Sequence, residues 1–313
     1  MKYRRLGSTG VVASVIGLGT WQFGGEWGKS FTQSEVALLV GRAAEVGINL
    51  IDTAECYGDH LSESLIGASV RLHRDSWIIA TKFGHRHLPN FRREQLWTAA
   101  DVLNQLESSL RALHTDYVDL YQFHSGSNED FDRQDVWIML QNQVKRGKIR
   151  HLGISISPNT NSYQTDRAAS VGAETIQVLY NRLDRQAEET VLPSCARQNL
   201  GVLARVPLAS GFLSGKYAPG TRFAREDDVR SSRDAEDTEE RLLLAQRILG
   251  DEVPAGVLMS QWALAWCLQH PAVTSVIPGC KTPEQMSFNA AAADLSSVST
   301  SHPQSVAPQR GIE

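Results

Sequence analysis

Short runs of β-branched and aromatic residues recur along the chain, each followed by a segment whose apolar positions repeat at helical spacing. The runs are SVIGLGT, INLIDTA, WIIATKF, YVDLYQFH, IRHLGISI, TIQVLYN, GVLARVPL and TSVIPG. Between them Val36, Leu39, Val40, Ala43 and Ala44 fall on one helical face, as do Leu103, Leu106, Leu110 and Leu113. Gly47, Gly147 and Gly172 stand at helix-to-strand joints, where they suit left-handed caps. The pattern predicts eight strands alternating with helices. Strands this apolar on both sides of the pleat need cover on both faces, which outer helices and a packed barrel core provide. Eight β/α units in about 250 to 300 residues have the size of a (β/α)8 TIM barrel. A doubly wound parallel sheet is the competing arrangement.

Two segments break the repeat. The opening KYRRLGSTGVVASVIGLGT carries an S-T-G turn between two extended runs and reads as an N-terminal β-hairpin ahead of the first barrel strand. After the seventh strand, KYAPGTRFAREDDVRSSRDAEDTEE is long, charged and poor in apolar residues, the composition of a lid or mobile loop. The barrel is thus expected over residues 1–294, and 295–313, rich in Ser and Pro, as a disordered tail.

Composition narrows the function classes. Of 313 residues 42% are hydrophobic and 21% charged, and 31 basic against 35 acidic residues leave a net charge of -4 with both signs scattered. That gives no electrostatic case for a nucleic-acid or anionic-membrane partner. Cys56, Cys195, Cys267 and Cys280 lie far apart, with no C-x-x-C pair and no His at metal-ligand spacing, which points to reduced thiols in a cytoplasmic setting and to no metal site. No apolar run approaches spanning length, and the N-terminus has no signal-peptide core. Oligomeric state is not readable.

In a barrel of this kind functional side chains sit at the C-terminal ends of the strands. Those ends carry Asp52 and Tyr57 (second strand), Lys82 (third), His124 (fourth), Ser155 (fifth), Gln177 and Asn181 (sixth) and Arg205 (seventh). Each alone has an ordinary structural reading: a strand-end Lys can snorkel to solvent and a His can bond a turn. Together they would point into one mouth. Trp21, Phe23 and Trp27 after the first strand can wall an apolar substrate pocket, with Phe83, His85 and Trp97 as further candidates, although rim aromatics also simply pack. Cys56 reads as a packing residue, since no activating base adjoins it.

DTAECYG followed by SESLIG, then ATK, DYVDLYQFH, GIS, QVLYN, PLASGFLSGKY and VIPGCKTPEQMSFNAAA, resemble in order the motifs of the aldo-keto reductase superfamily, from about residue 3 to residue 294. The resemblance implies an NADPH-dependent reductase of carbonyl compounds, with NADH also possible, and Asp52, Tyr57, Lys82 and His124 as its catalytic tetrad. Carbonyl reduction needs a proton donor and stabilisation of the charge that grows on oxygen. Tyr57 is the natural acid, Lys82 would lower its pKa, Asp52 would hold Lys82 charged, and His124 would position the carbonyl. Trp21, with Tyr57 and His124, would meet the substrate, and this chemistry requires no metal.

The resemblance also places the cofactor. GLGTWQFGG has Gln22 where a dinucleotide fingerprint needs its third glycine, which argues against a Rossmann site. Instead the nicotinamide would lie across the barrel mouth, its carboxamide held by Ser155 and Gln177 with Arg205 beside the ring, and Gly19 and Thr20 are further expected cofactor contacts. Leu208, Ser210, Gly211, Leu213 and Lys216 would wrap the pyrophosphate. Gly279, Lys281, Thr282, Gln285 and Asn289 would receive the adenosine end, with Lys281 on the 2′-phosphate. The chain departs from the family at Ile156, where Asn is common, at Arg205, where many relatives have an aromatic ring, at Gln285, often an arginine, and at Phe288, often acidic. Two other activities share the fold: a Schiff-base aldolase built on Lys82, and a nicotinamide-binding regulatory subunit like the potassium-channel beta subunits, which keep the tetrad.

Overall fold

The computed structural model describes residues 1–295, so the tail expected from 295 on lies, apart from Leu295, outside the described residues. In chain order the strands are β1 (Tyr3–Arg5), β2 (Val12–Ser14), β3 (Leu18–Gly19), β4 (Leu50–Asp52), β5 (Ile78–Phe83), β6 (His85–His87), β7 (Arg93–Gln95), β8 (Val118–His124), β9 (Ile149–Ser155), β10 (Ala173–Leu179), β11 (Gly201–Arg205) and β12 (Ser275–Ile277). Eight of them form one parallel sheet in the order β3, β4, β5, β8, β9, β10, β11, β12, which is the order of the eight apolar runs. Parallel bridges Ile16 to Val276 and Gly19 to Gly279 draw the first strand to the last and close the sheet. The arrangement is the (β/α)8 barrel, not the doubly wound sheet.

β1 and β2 pair antiparallel, as the S-T-G turn predicts. Leu6 and Ala13 from this hairpin join Leu50, Ala80, Leu120, Leu203 and Ile277 in a small inner core, so the hairpin plugs the barrel at the end away from the functional mouth. The larger core lies between strands and helices. There the helix Gln33–Glu45 starts at Thr32, which accepts from the Glu35 amide while Glu35 returns a bond to the Thr32 amide, and it buries Val36, Leu39, Val40 and Ala43. Ala44, expected on that face, is exposed. In the helix Ala99–Ala112 the buried stripe runs Val102, Leu106, Leu110, with Leu103 only half-buried. Phe83 and Trp97, read as possible pocket walls, belong to an aromatic layer with Tyr121 and Phe123, with ring centroids 4.9 Å apart for Phe83 and Tyr121 and 4.5 Å for Trp97 and Phe123. Each such buried side chain contributes roughly 1.5 to 3 kcal/mol.

Two features of the mouth differ from expectation. β6 and β7 form a second antiparallel hairpin directly after β5, in a segment too charged to show strand alternation, and it carries His85 and Arg93 to the rim. The long segment after β11 is pinned rather than loose. Trp27 and Asp228 form an antiparallel bridge, Gly28 donates to the Asp227 carbonyl (2.9 Å), and Val229 donates to that of Glu26 (2.9 Å). The strap so formed ties the loop after β3 to the loop after β11 across the mouth.

Candidate active site

The strand ends open on a cavity of about 460 Å³. Its floor is a buried polar layer. Asp52 closes β4 opposite Ala80 of the neighbouring β5, and Lys82, two residues further along β5 and so on the same face, brings its long side chain back to it. Lys82 Nζ donates to Asp52 Oδ2 (2.8 Å), to the Thr53 carbonyl (2.7 Å) and to Tyr57 Oη (3.4 Å). The other Asp52 oxygen accepts from Gln177 Nε2 (2.6 Å) and Gln122 Nε2 (3.3 Å). Lys82 is 1% exposed, and an ammonium this deep is tolerable because every donor direction meets an oxygen. Burial works against its charge, but Asp52 and Tyr57 outweigh burial and hold Lys82 above the ordinary lysine value.

Tyr57 rises from the turn after β4. Gly58 follows it at φ 68, and a Cβ there would meet the Gly24 carbonyl oxygen at 2.7 Å, so only glycine lets this turn pack on the loop after β3. That contact brings Trp21 over Tyr57, stacked at 6.0 Å with planes 18° apart. Burial pushes the Tyr57 phenol up to about 12 against the lowering pull of Lys82. The ring is half-buried, not sealed, which limits the desolvation that raises it. The expected net acidification by Lys82 is therefore not what this environment produces; the phenol is held protonated at neutral pH.

His124, at the end of β8, stands edge-on to Tyr57 with centroids 6.3 Å apart. Burial first, then the charges of Lys82 and Arg205, hold it well below the usual histidine range, so it is a neutral imidazole. Its Nδ1 lies 3.8 Å from Cys56 Sγ and 3.9 Å from Glu55 Oε1. His85 stacks on it, and burial with the neighbouring His124 pushes His85 down to about 4. Burial raises both the Glu55 carboxyl and the Cys56 thiol.

Gly19, Thr20, Trp21 and Gln177 line the cavity beside this floor. Arg205 lines it too and donates to the Ile156 carbonyl (3.3 Å), with burial lowering its pKa. Further out come Leu208, Ser210, Gly211 and Lys216 from the loop after β11, and Gly279, Lys281, Gln285 and Asn289 from the segment after β12. Residues Ala209, Ser210 and Gly211 take φ of 49°, 59° and 99°, a left-handed run that folds this loop tightly against the cavity wall. Four expected site residues do not reach the cavity surface. Lys82 lies beneath Tyr57; Ser155 is buried and faces Gln177 Oε1 at 3.5 Å; Leu213 is core; Thr282 caps the helix Pro283–Ala291 by accepting from the Gln285 amide. Asn181 is spent on the turn to Asp184 and on the Val206 carbonyl.

Several cavity residues escape sequence reasoning. Gln22, noticed only for spoiling a glycine fingerprint, donates to the carbonyls of Gly19 and Cys280 (2.9 Å each) and holds the two barrel edges together. Arg230, on the strap, pairs with Asp228 at 2.6 Å and lies 4.1 Å over the Phe223 ring. The short Asp-x-Arg spacing is its only local signal. Arg93 is clamped by both oxygens of Glu26 (2.7 and 2.5 Å), a partner 67 residues away that no local pattern announces.

Comparison with known proteins agrees with this fold. The model of the Aldo/keto reductase family matches residues 15–306. Aldo-keto reductase YhdN of Bacillus subtilis is 32% identical over 298 residues, covering 91% of this chain and 87% of its own. The solved aldo-keto reductase AKR11C1 from Bacillus halodurans, in its holo form, superposes with a TM-score of 0.80 at 27% identity, covering 97% of this chain and 94% of that one. The glycerol dehydrogenase AKR11B4 from Gluconobacter oxydans gives 0.78 at 28% identity, with 92% and 89% coverage. The chain is an oxidoreductase and belongs to the aldo/keto reductase family.

Proposed function

We propose that the chain reduces the aldehyde or ketone carbonyl of a small molecule with NADPH, Tyr57 giving the proton. The observation that carries this reading is the buried chain of contacts from Asp52 through Lys82 Nζ (2.8 Å) to Tyr57 Oη (3.4 Å), opening on the cavity. A carbonyl oxygen seated between Tyr57 and His124 would have a protonated phenol on one side and a neutral imidazole on the other. With Nδ1 of His124 turned to Cys56 and Glu55, Nε2 is left to donate to that oxygen. Lys82 stabilises the phenolate that remains after proton transfer, and Asp52 keeps Lys82 oriented.

The donor set of the cavity suits a phosphorylated dinucleotide. Lys216, Arg230 and Lys281 all line the cavity, with Arg230 and Lys281 close enough for their charges to interact, while Gln177 and Arg205 lie by the tetrad. Burial and the nearby Arg230 charge hold Lys281 below the ordinary lysine value, so an anion there would relieve it. Bound, the nicotinamide would supply the hydride. Lys216 and Lys281 would hold phosphate, Lys281 giving preference for NADPH, and Gln177 Oε1 would orient the carboxamide.

The glycerol dehydrogenase activity named for the Gluconobacter relative makes alcohol oxidation the natural reverse direction here. An aldolase reading is disfavoured because Lys82 is buried, raised in pKa and committed to three oxygens, the opposite of a free amine nucleophile. The test is carbonyl-dependent loss of reduced-nicotinamide absorbance, with NADPH and NADH, over a panel of aldehydes, ketones and sugars. Turnover with at least one class supports the proposal. Tight NADPH binding without turnover on any carbonyl, with co-purification of a membrane partner, would favour the regulatory-subunit reading instead.

A further inference from the structure

We infer that Cys56, His85 and His124 form a binding site for a borderline-soft divalent cation, Zn2+ foremost, on the cavity floor, and that filling it blocks the carbonyl site. The three residues come from separate segments, the turn after β4, the start of β6 and the end of β8, so no spacing along the chain announces them. One ligating atom of each lies within 4.8 Å of the other two. Cys56 Sγ stands 3.8 Å from His124 Nδ1. Two ligands of a tetrahedral zinc at ordinary Zn–S and Zn–N lengths are about 3.6 Å apart, so this pair is already near ligating separation. His85 must move further. Its ring is stacked on that of His124, with centroids 4.8 Å apart and planes 15° apart, so it has to turn about its soft terminal side-chain torsion to aim a lone pair at the metal.

A second observation marks the same place. Glu55 is 2% exposed; its Oε1 accepts from the His85 amide (2.9 Å), while its Oε2 has no hydrogen-bond partner among the described residues. The Nε2 of His85 is likewise buried and unpartnered. Buried groups left without a partner are costly, and a cation bound among them would offset that cost. The charges balance: Zn2+ displaces the thiol proton to solvent, and the dication then faces the Cys56 thiolate and the Glu55 carboxylate with no change of oxidation state. Arg93 hydrogen-bonds Cys56 but is itself neutralised by Glu26. One thiolate and two imidazoles select Zn2+ or copper over Mg2+ or Ca2+. All three residues line the cavity, so the fourth tetrahedral position opens into it.

Occupation ties the His124 ring to the metal through Nδ1 and sets the ion, with its open fourth position, in the cavity where the carbonyl oxygen would lie. That consequence rests on the proposed reductase function; the binding does not. The test is Co2+ titration of the metal-free full chain, reading thiolate-to-cobalt absorption, followed by Zn2+ competition and by Zn2+ inhibition of carbonyl reduction. Expected are one cobalt per chain with a thiolate band that zinc abolishes, and at least about tenfold weaker cobalt binding in Cys56→Ser and His85→Ala. Cys56→Ser loses at least about tenfold in zinc sensitivity, read as inhibition relative to its own metal-free turnover. Absence of the thiolate band, or an equal band or equal zinc inhibition in Cys56→Ser, overturns the inference. If Cys56→Ser misfolds, as circular dichroism would report, His85→Ala carries the binding comparison. A full cobalt signal in a chain that reduces no carbonyl leaves the metal site standing and overturns the reductase reading.

Discussion

Replacing Lys82 by Met separates the two roles of this side chain. Nζ lies 3.4 Å from Tyr57 Oη, and an ammonium and a phenolate at that distance attract by about 5 kcal/mol at an effective dielectric of about 20. Because Tyr57 is only half-buried, about half of that is a better figure, or roughly two pKa units. Without Lys82 the phenol, already pushed up to about 12, rises further and becomes a poorer acid. Reduction should fall by about 10² to 10⁴ in kcat, the usual contribution of a positioned acid. Stability should fall as well. Asp52 Oδ2 loses its counter-ion, leaving the carboxylate with Gln177 and Gln122 on Oδ1, and stranding one partner of a buried pair costs about 3 to 5 kcal/mol. Adding Asp52→Asn removes the stranded charge. The double variant should recover most of the stability in urea unfolding and none of the turnover. A Lys82→Met enzyme as stable and active as the parent, or a double variant that regains turnover, would refute this reasoning.

The pH profiles of the two directions should differ. Alcohol oxidation needs the Tyr57 phenolate, so its rate should climb about tenfold per pH unit up to about pH 12, whereas reduction, which needs the phenol, stays level over that range as far as Tyr57 is concerned; an oxidation rate that levels off near neutrality would contradict the assignment. In Gly19→Ala the new Cβ would sit 2.5 Å from the Ile277 carbonyl oxygen in the seam between β3 and β12, which should cost about 1 to 3 kcal/mol in urea unfolding. Lys281→Ala should weaken NADPH binding by about 10- to 100-fold and NADH binding far less, measured by fluorescence titration, since only NADPH carries the 2′-phosphate proposed to pair with Lys281.

The barrel is legible in the sequence because a strand covered on both faces is apolar throughout and the helix between two strands keeps its 3.6 period. All eight runs become neighbours in chain order for that reason. Strand ends are legible for the same reason: Asp52 and His124 stand out as polar residues that close apolar runs, and Lys82 and Gln177 as polar residues near the ends of theirs. Their placement under or beside the cavity is not. Ser155 at the end of β9 and Lys82 one residue before the end of β5 lie below the surface, because a short side chain and a fully bonded ammonium both stay in the polar layer. Legibility fails where partners are distant in sequence and local pattern is weak. The hairpin of β6 and β7 alternates charge with charge, and its anchor, Arg93 on Glu26, spans 67 residues. The strap reads as loose from its composition, but backbone bonds to Glu26, Trp27 and Gly28 pin it, and composition carries no record of backbone partners. The net pKa of Tyr57 is hidden for another reason: the residue types disclose the ammonium but not the depth of burial that outweighs it.

The central claim is that Tyr57 donates the proton. It is tested most directly by kcat for carbonyl reduction in Tyr57→Phe, alongside the NADPH dissociation constant of the same protein. The account predicts that kcat falls by at least about 100-fold while cofactor binding stays within a few-fold of the parent, since the phenylalanine ring keeps the stack on Trp21 and removes only the acid. A Tyr57→Phe protein that binds NADPH normally and reduces its carbonyl at the parental rate would contradict it.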